Sequence, residues 1–461
     1  MSTIGIRNFR PKIHFTPIKG WTNDPNGLVY YNNKYHLFYQ HYPYTPVWGP
    51  MHWGHAISED LINWEHLPIA LEPDMDGTAM FSGSAAIDVN NISGFSRDGK
   101  TPLIAIYTAH GDEEAQSIAY SLDGINFVKY DENPVIPNPG LRDFRDPKMF
   151  WNPVKNCWSL VLAASDRVHF YETDDFKSWK KTGEFGTKED GNHASGIWEC
   201  TDLIPLEHKG KTIWLLIGSM TWDGKTPFIG TQYFLGDFDG DKFINTMPFD
   251  QPERVDCGWD NYAGVTFNNL ARENHPVFIG WGTCPHYAKR TPTGVYCGNM
   301  TLPRRLFLVE TALGLRLGSA PVAVDRMIDG GKVLESNASI PSETYVLKIE
   351  GKGSACISLR NDKGQEYVFG VDDENCLYAD RSNAGTKSFH KLFASPEFST
   401  AKAKRFYDGS YTMYFYFDVS ITELYIDNGT RNMTMLCYPD APYNNIVTNG
   451  DVEVTLFRCM M

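Results

Sequence analysis

Four seven-residue segments of the chain share one pattern: SEDLINW (58–64), SLDGINF (121–127), TDDFKSW (173–179) and DFDGDKF (237–243). Each has an aspartate in third place and an aromatic in seventh, and their starts lie 63, 52 and 64 residues apart. Asp and Gly are common in turns, because Asp side chains bond to the backbone two residues on and Gly tolerates positive φ. Four unrelated turns are therefore the plain alternative. The spacing favours a repeat. A period of ~50 residues filled with short strands is the signature of a β-propeller, one four-stranded sheet per blade. Each turn then reverses the chain before the outer strand, and its aromatic packs on the neighbouring blade. Continuing the spacing past residue 243 leaves room for one more unit before about residue 310, which makes five blades.

The stretches between the turns agree. LVYY-NN-KYHLFY reads as a hairpin with Asn32 and Asn33 at its tip. TPLIAIYTA, CWSLVLAAS and TIWLLIGSM are short apolar runs rich in β-branched and aromatic residues, and no long segment has a clean 3.6-residue period. Past about residue 325 come SETYVLKIEG, SACISLRN, EYVFGVD, YTMYFYFDVS and TELYIDNG, with turn signals every ten residues or so. That spacing suits a β-sandwich. The expected fold is all-β: a five-bladed propeller over 1–316, a linker over 317–332 and a sandwich over 333–461.

Bulk properties exclude several function classes. At 461 residues the chain is long enough for two domains. Its 42 basic and 56 acidic residues leave a net charge of −14, which argues against nucleic acid or an anionic membrane as partner. No stretch approaches ~18 consecutive apolar residues, and MSTIGIRNFRPKIHF lacks the apolar core of a signal peptide. Nine cysteines without CxxC pairs read as reduced thiols, with no zinc or other metal site expected and a cytoplasmic location. Aromatic residues are 14% of the chain, which suits carbohydrate faces but also large sheets.

A propeller gathers the first strand of every blade around its axis, so residues far apart in sequence meet in one pocket. Stepping back from the four turns gives NDPNG around Asp24, FSGS around Ser82, FRDP around Asp146 and IWEC around Glu199. These precede their turns by 34, 39, 27 and 38 residues. Three of the four positions carry a carboxylate. Singly, each acid reads most simply as a surface or turn residue. Together, in matching blade phase, they read as a site. Paired carboxylates in a sugar-sized pocket serve glycosidic cleavage, one protonating the leaving oxygen and the other attacking or activating water. Glu199, flanked by Ile197, Trp198 and Cys200, has the setting that favours a protonated acid. Asp24 lies among amide and backbone donors that favour the ionised form, and Asp146 beside Arg145 is expected to be ionised too.

These segments resemble glycoside hydrolase family 32, the β-fructofuranosidases (invertases, inulinases and levanases). WTNDPNG is similar to the family's WMNDPNG, and FSGS, RDP and EC follow in the family's order. WGHAISEDLINWEHLPIAL (53–71), PTGVYCGNMTLPRRLFL (292–308) and FDVSITELYIDNG (417–429) resemble further family segments, so the likeness spans nearly the whole chain. It implies Asp24 as nucleophile, Glu199 as general acid/base and Asp146 as transition-state stabiliser. It also implies a fructose pocket shaped by Asn23, Gln40, Trp48, Phe81, Ser82 and Arg145, with Trp53, Tyr262 and Trp281 as further substrate contacts. The last three read equally as blade-packing aromatics, and Gln40 and Ser82 also as structural hydrogen bonders. Thr22 stands where the family has methionine, beside the nucleophile.

The implied activity is retaining hydrolysis of terminal β-fructofuranosyl units from sucrose and short fructo-oligosaccharides, without metal or organic cofactor. Such a reaction places the Asp24 and Glu199 carboxyls ~5–5.5 Å apart, against ~6.5–9.5 Å in an inverting enzyme. An inverting propeller glycosidase is the nearest rival, and WTNDPNG with the appended sandwich weighs against it. A fructosyltransferase would use the same acids. A non-catalytic fructan-binding propeller has no need of all three. For the sandwich, buttressing the propeller, pairing two copies in a homo-oligomer and contacting longer substrates are the readings left open.

Overall fold

A computed structural model describes residues 7–192, 196–221, 229–270, 275–322, 324 and 328–459. The architecture is a five-bladed β-propeller with a C-terminal β-sandwich-like sheet. By contacts the chain divides into two units. One is Gly20–Val255 with Tyr262–Trp281; the other is Met1–Lys19, Asp256–Asn261 and Gly282–Met461.

The first unit repeats one hairpin-on-hairpin design. β1 (Gly20–Tyr31), β2 (Lys34–Tyr42), β3 (His52–Ser58) and β4 (Glu65–Leu71) pair in chain order. So do β5 (Ala79–Ile87), β6 (Leu103–His110), β7 (Glu114–Ser121) and β8 (Val128–Lys129). The third blade is β9 (Phe144–Asn152), β10 (Cys157–Ala164), β11 (Arg167–Thr173) and β12 (Lys180–Phe185). The fourth is β13 (Ile197–His208), β14 (Lys211–Thr221), β15 (Gly230–Phe238) and β16 (Phe243–Ile244), with β17 (Glu253–Arg254) also on β15. β18 (Tyr262–Thr266) and β19 (Val277–Trp281) open the fifth. The first hairpin turns at Asn32 (φ 50°) and Asn33 (φ 62°), the paired positive φ values of a type I′ turn, which asparagine tolerates.

The repeated heptads lie where expected, between the third and fourth strands of four blades, and side-chain chemistry explains their pattern. In the first three, the leading Ser58, Ser121 or Thr173 hydroxyl accepts from the backbone N–H groups of the third and fourth residues. In all four, Oδ1 of the third-place aspartate accepts from the N–H groups of the fifth and sixth. The fourth residue is left-handed each time: Leu61, Gly124, Phe176 and Gly240. Leu61 and Phe176 accept that conformation while buried; a buried apolar side chain of this size contributes about 1.5–3 kcal/mol, enough to offset the strain. Two of the seventh-place aromatics cross to the neighbouring blade, Phe127 onto Phe38 (5.4 Å between ring centres) and Phe243 onto Phe185 (4.9 Å).

In the second unit the 17-residue strand Thr344–Arg360 is shared between layers. Its first half pairs with Ser410–Asp418, its second with Glu366–Val371, and Asn445–Cys459 runs along both. The register breaks between Lys352 and Ala355, where a bulge lets one strand turn from one sheet into the next. The expected linker 317–332 is strand at Gly314–Pro321 and at Ile328–Leu334; residues 323 and 325–327 within it lie outside the described residues.

Contacts group residues 7–19 and 256–261 with this unit, and buried carboxylates show why. Asp418 accepts from the backbone N–H groups of Lys12, Ile13 and His14. Asp256 and Asp260 likewise accept from the N–H groups of Thr434 and Leu436. The His14 ring bonds Asp418 (2.8 Å) and Glu423 (3.2 Å). Burial alone would lower its pKa, but Asp418 and Glu423 outweigh that and raise it from 6.5 to about 9. The folded state therefore binds this proton more tightly than the unfolded chain does. The stabilisation, on the order of 3 kcal/mol, is fully present below pH 6.5 and lost as pH rises through about 9. Thermal melts from pH 6 to 10 are expected to show this decline, and His14→Gln to flatten it.

Candidate active site

Each innermost strand of the five blades breaks its register where a predicted site residue lies. β1 slips between Thr22 and Pro25 and again between Asn26 and Val29, and β5 between Met80 and Gly83. β9 slips between Arg145 and Lys148, β13 between Glu199 and Asp202, and β18 between Tyr262 and Val265. A bulge re-aims one side chain out of the pleat. Here these breaks, on five strands, turn Asp24, Ser82, Asp146, Glu199 and Tyr262 toward one another. Strain accompanies them: Asp146 (φ 65°), Cys200 (φ 45°) and Ala263 (φ 54°) are left-handed without being glycine. Gly27 (φ 54°) ends the NDPNG bend, and a Cβ there would lie 2.6 Å from the Phe38 ring and 2.9 Å from Trp53. The bend needs a glycine.

Asp24 is gripped on both oxygens. Asn23 donates its amide to Oδ1 (3.0 Å), Ser82 its hydroxyl to Oδ2 (2.6 Å), and the Cys200 thiol reaches Oδ2 at 3.3 Å. Burial, then the charges of Asp146 and Asp24, push the Cys200 pKa far up, so the thiol stays a donor. Asn23 in turn accepts from the Trp21 indole (2.6 Å). With its amide turned to suit its neighbours, buried Asn26 donates to Ser82 Oγ (3.2 Å) and accepts from Gln40 Nε2 (2.7 Å). Gln40 also donates to the Met80 carbonyl (2.9 Å), so it braces β1 against β5. Thr22 is fully buried and donates to the Gln40 carbonyl (3.0 Å), a packing position within the first blade.

Two expectations about protonation need correcting. Arg145 does not hydrogen-bond its sequence neighbour Asp146. Its Nη2 and Nε donate to Glu199 Oε1 (2.9 and 3.3 Å), while Nη1 donates to Glu114 (3.0 and 3.1 Å) and Asp143 (2.8 Å). Glu199 is thus in no apolar setting. It is ion-paired on one oxygen and takes the Tyr262 hydroxyl on the other. Its neighbour Trp198 is packed away in the core with Phe234. Asp146 is 6% exposed and accepts from the Cys200 N–H (2.9 Å), while its own N–H is held by Thr108 (3.0 Å). Burial pushes its pKa well above the usual carboxylate range; Arg145 opposes, and Asp24 and Glu199 add to the rise. Adjacent residues in a bulged strand point apart, which is why the RD pair does not neutralise itself.

The aromatics separate into two sets. Trp48, 45% exposed, meets the edge of Phe81 (6.3 Å), and Phe81 stacks on His110 (3.9 Å, 5° between planes). Trp53 is 1% exposed, packs on Phe38 and donates to the Phe81 carbonyl (2.9 Å), so it supports Phe81 from within the blade. Trp281 is also buried, edge-on to Trp21 at 5.8 Å. Glu114, Asp143, His110, Thr108 and Asn26 were not expected in the cluster. The sequence marks Cys200 only as a flank of Glu199, yet its thiol reaches Asp24.

Three carboxylates and one shared arginine on the axis of a propeller, beside an exposed aromatic face, define a glycosidase-type site. Comparison with known proteins agrees: residues 14–317 match the N-terminal domain of glycosyl hydrolases family 32 and residues 324–458 its C-terminal domain. The chain belongs to that family. It is 39% identical to a levanase of Bacillus subtilis, over 97% of this chain and 69% of the levanase. It is 33% identical to an extracellular exo-inulinase of Aspergillus awamori, over 98% and 94%. A crystal structure of exo-inulinase from that organism superposes with a TM-score of 0.89 at 32% identity, covering 98% of each chain. A Schwanniomyces occidentalis fructofuranosidase complexed with fructosylnystose gives 0.87 at 28% identity, covering 100% of this chain and 99% of that one.

Proposed function

We propose that the chain is a β-fructofuranosidase that releases terminal fructose from sucrose and short fructo-oligosaccharides by double displacement. The observation that carries this reading is the meeting of Asp24 and Glu199, 175 residues apart, with one held by three donors and the other by Arg145 and Tyr262. Asp24 attacks the anomeric carbon while Glu199 protonates the departing oxygen. A covalent fructosyl-enzyme forms, and Glu199 then takes the proton of the incoming water. Positive charge developing on the sugar ring is stabilised by the acidic cluster, Asp146 included. Asn23 and Ser82 fix the attacking carboxylate in one orientation, which lowers the entropic part of the barrier. Trp48 and Phe81 offer the apolar surface on which a sugar face packs.

A product assay over sucrose, inulin and levan tests the substrate class. Fructose is expected from all three, fastest from the short sugars. Binding without any product would reduce the chain to a fructan-binding propeller, and accumulation of longer oligomers in place of free fructose would make it a transferase. All nine cysteines are free thiols, which supports a reducing, cytoplasmic location. The Aspergillus relative is named extracellular, so activity measured in separated culture supernatant and cell lysate is the check, with the lysate expected to hold it.

A further inference from the structure

Glu114 lies in HGDEEAQ, a stretch with every mark of an ordinary polar turn. In the fold it opens β7, and its side chain is only 11% exposed. Both its oxygens are engaged: Phe144 donates its backbone N–H (2.7 Å), Arg145 Nη1 lies 3.0 and 3.1 Å away, and the His110 ring stands at 3.2 Å. Asp143 takes the same Arg145 nitrogen at 2.8 Å and meets Arg142 at 3.4 Å on its other side. The remaining donors of the guanidinium go to Glu199. Glu199 also faces the Tyr262 hydroxyl on β18 and the carboxyl groups of Asp146 on β9 and Asp24 on β1. One positive charge is therefore divided among three carboxylates.

That division matters because the two demands on Glu199 conflict. Arg145 must orient it, but a guanidinium with no other partner would hold it as a carboxylate and deny it the proton that the leaving oxygen needs. We propose that Glu114 is a positioning residue for the acid/base. By engaging Arg145 from the far side, it steers the guanidinium and draws off enough of its charge for Glu199 to cycle a proton. Asp143 acts in the same sense on the same nitrogen. This inference rests on the reading of Glu199 as the acid/base.

The test is the pH profile of kcat/KM with sucrose for Glu114→Gln. Its alkaline limb, which reports the protonated acid of the free enzyme, is expected to move down by about one pH unit, the scale of a removed neighbouring charge. The loss should fall in kcat more than in KM. Glu114→Asp restores the charge and should return the limb. Asp143→Asn, at a left-handed residue (φ 56°) that asparagine accepts, should move it the same way by less, and stands in if the Gln variant does not fold. Lower activity with an unmoved limb, or a limb displaced upward, overturns the proposal while leaving Glu199 in its role. Full activity in Glu199→Gln overturns both.

Discussion

Asp24→Asn is expected to lower kcat on sucrose by roughly 10⁵-fold or more, the scale of removing a nucleophile from a covalent mechanism. The neutral amide is a far weaker nucleophile than the carboxylate and forms no stable ester with the sugar, and no other carboxylate takes the same grip. Asn23, Ser82 and Cys200 hold Asp24 through donors that an amide oxygen still satisfies in part. The melting temperature should therefore change by only a few degrees, a ΔΔG of about 1 kcal/mol. Initial rates and a thermal melt of the purified variant check both. A variant within tenfold of the parent would remove Asp24 from the chemistry.

Glu199→Gln is expected to cost ~10²–10⁴-fold in kcat, the usual contribution of a positioned general acid/base. The loss should depend on the leaving group. A sugar alkoxide needs the proton and suffers most; an aryl fructoside with an acidic phenol needs it little and should retain most of its rate of first-step cleavage. With Glu199→Ala, small anionic nucleophiles such as azide should restore turnover, because they attack the fructosyl-enzyme without a base. Equal losses on both substrates, with no azide effect, would assign Glu199 a binding role instead.

Much of the fold was legible because its periodic feature is chemical. The heptads repeat since an Asp carboxylate and a Ser or Thr hydroxyl satisfy the same backbone N–H groups in blade after blade. The fourth heptad lacks the hydroxyl but keeps the aspartate bonds. The three acids were legible for a related reason: each lies one blade's inner strands upstream of its turn, 27 to 38 residues back, and so falls on the innermost strand. What spacing along the chain does not carry is direction. Arg145 and Asp146 are neighbours in sequence, yet the bulge between Arg145 and Lys148 sends one to Glu199 and buries the other. Glu114 was silent because its function lies in what reaches it from β9, and nothing in HGDEEAQ records that. Thr22 is close to Asp24 in sequence. The register break between Thr22 and Pro25 instead separates the two side chains, and Thr22 turns into the blade, onto the Gln40 carbonyl.

The central claim, that Asp24 forms a covalent fructosyl intermediate which Glu199 resolves, is tested most directly by stereochemistry. Turnover of sucrose in the presence of methanol diverts the intermediate to a methyl fructofuranoside, which unlike free fructose cannot change anomer in solution. Proton and carbon NMR of that product should show the β anomer alone, the mark of two successive inversions. The α anomer would mean single displacement, with Asp24 activating the acceptor rather than bonding to the sugar.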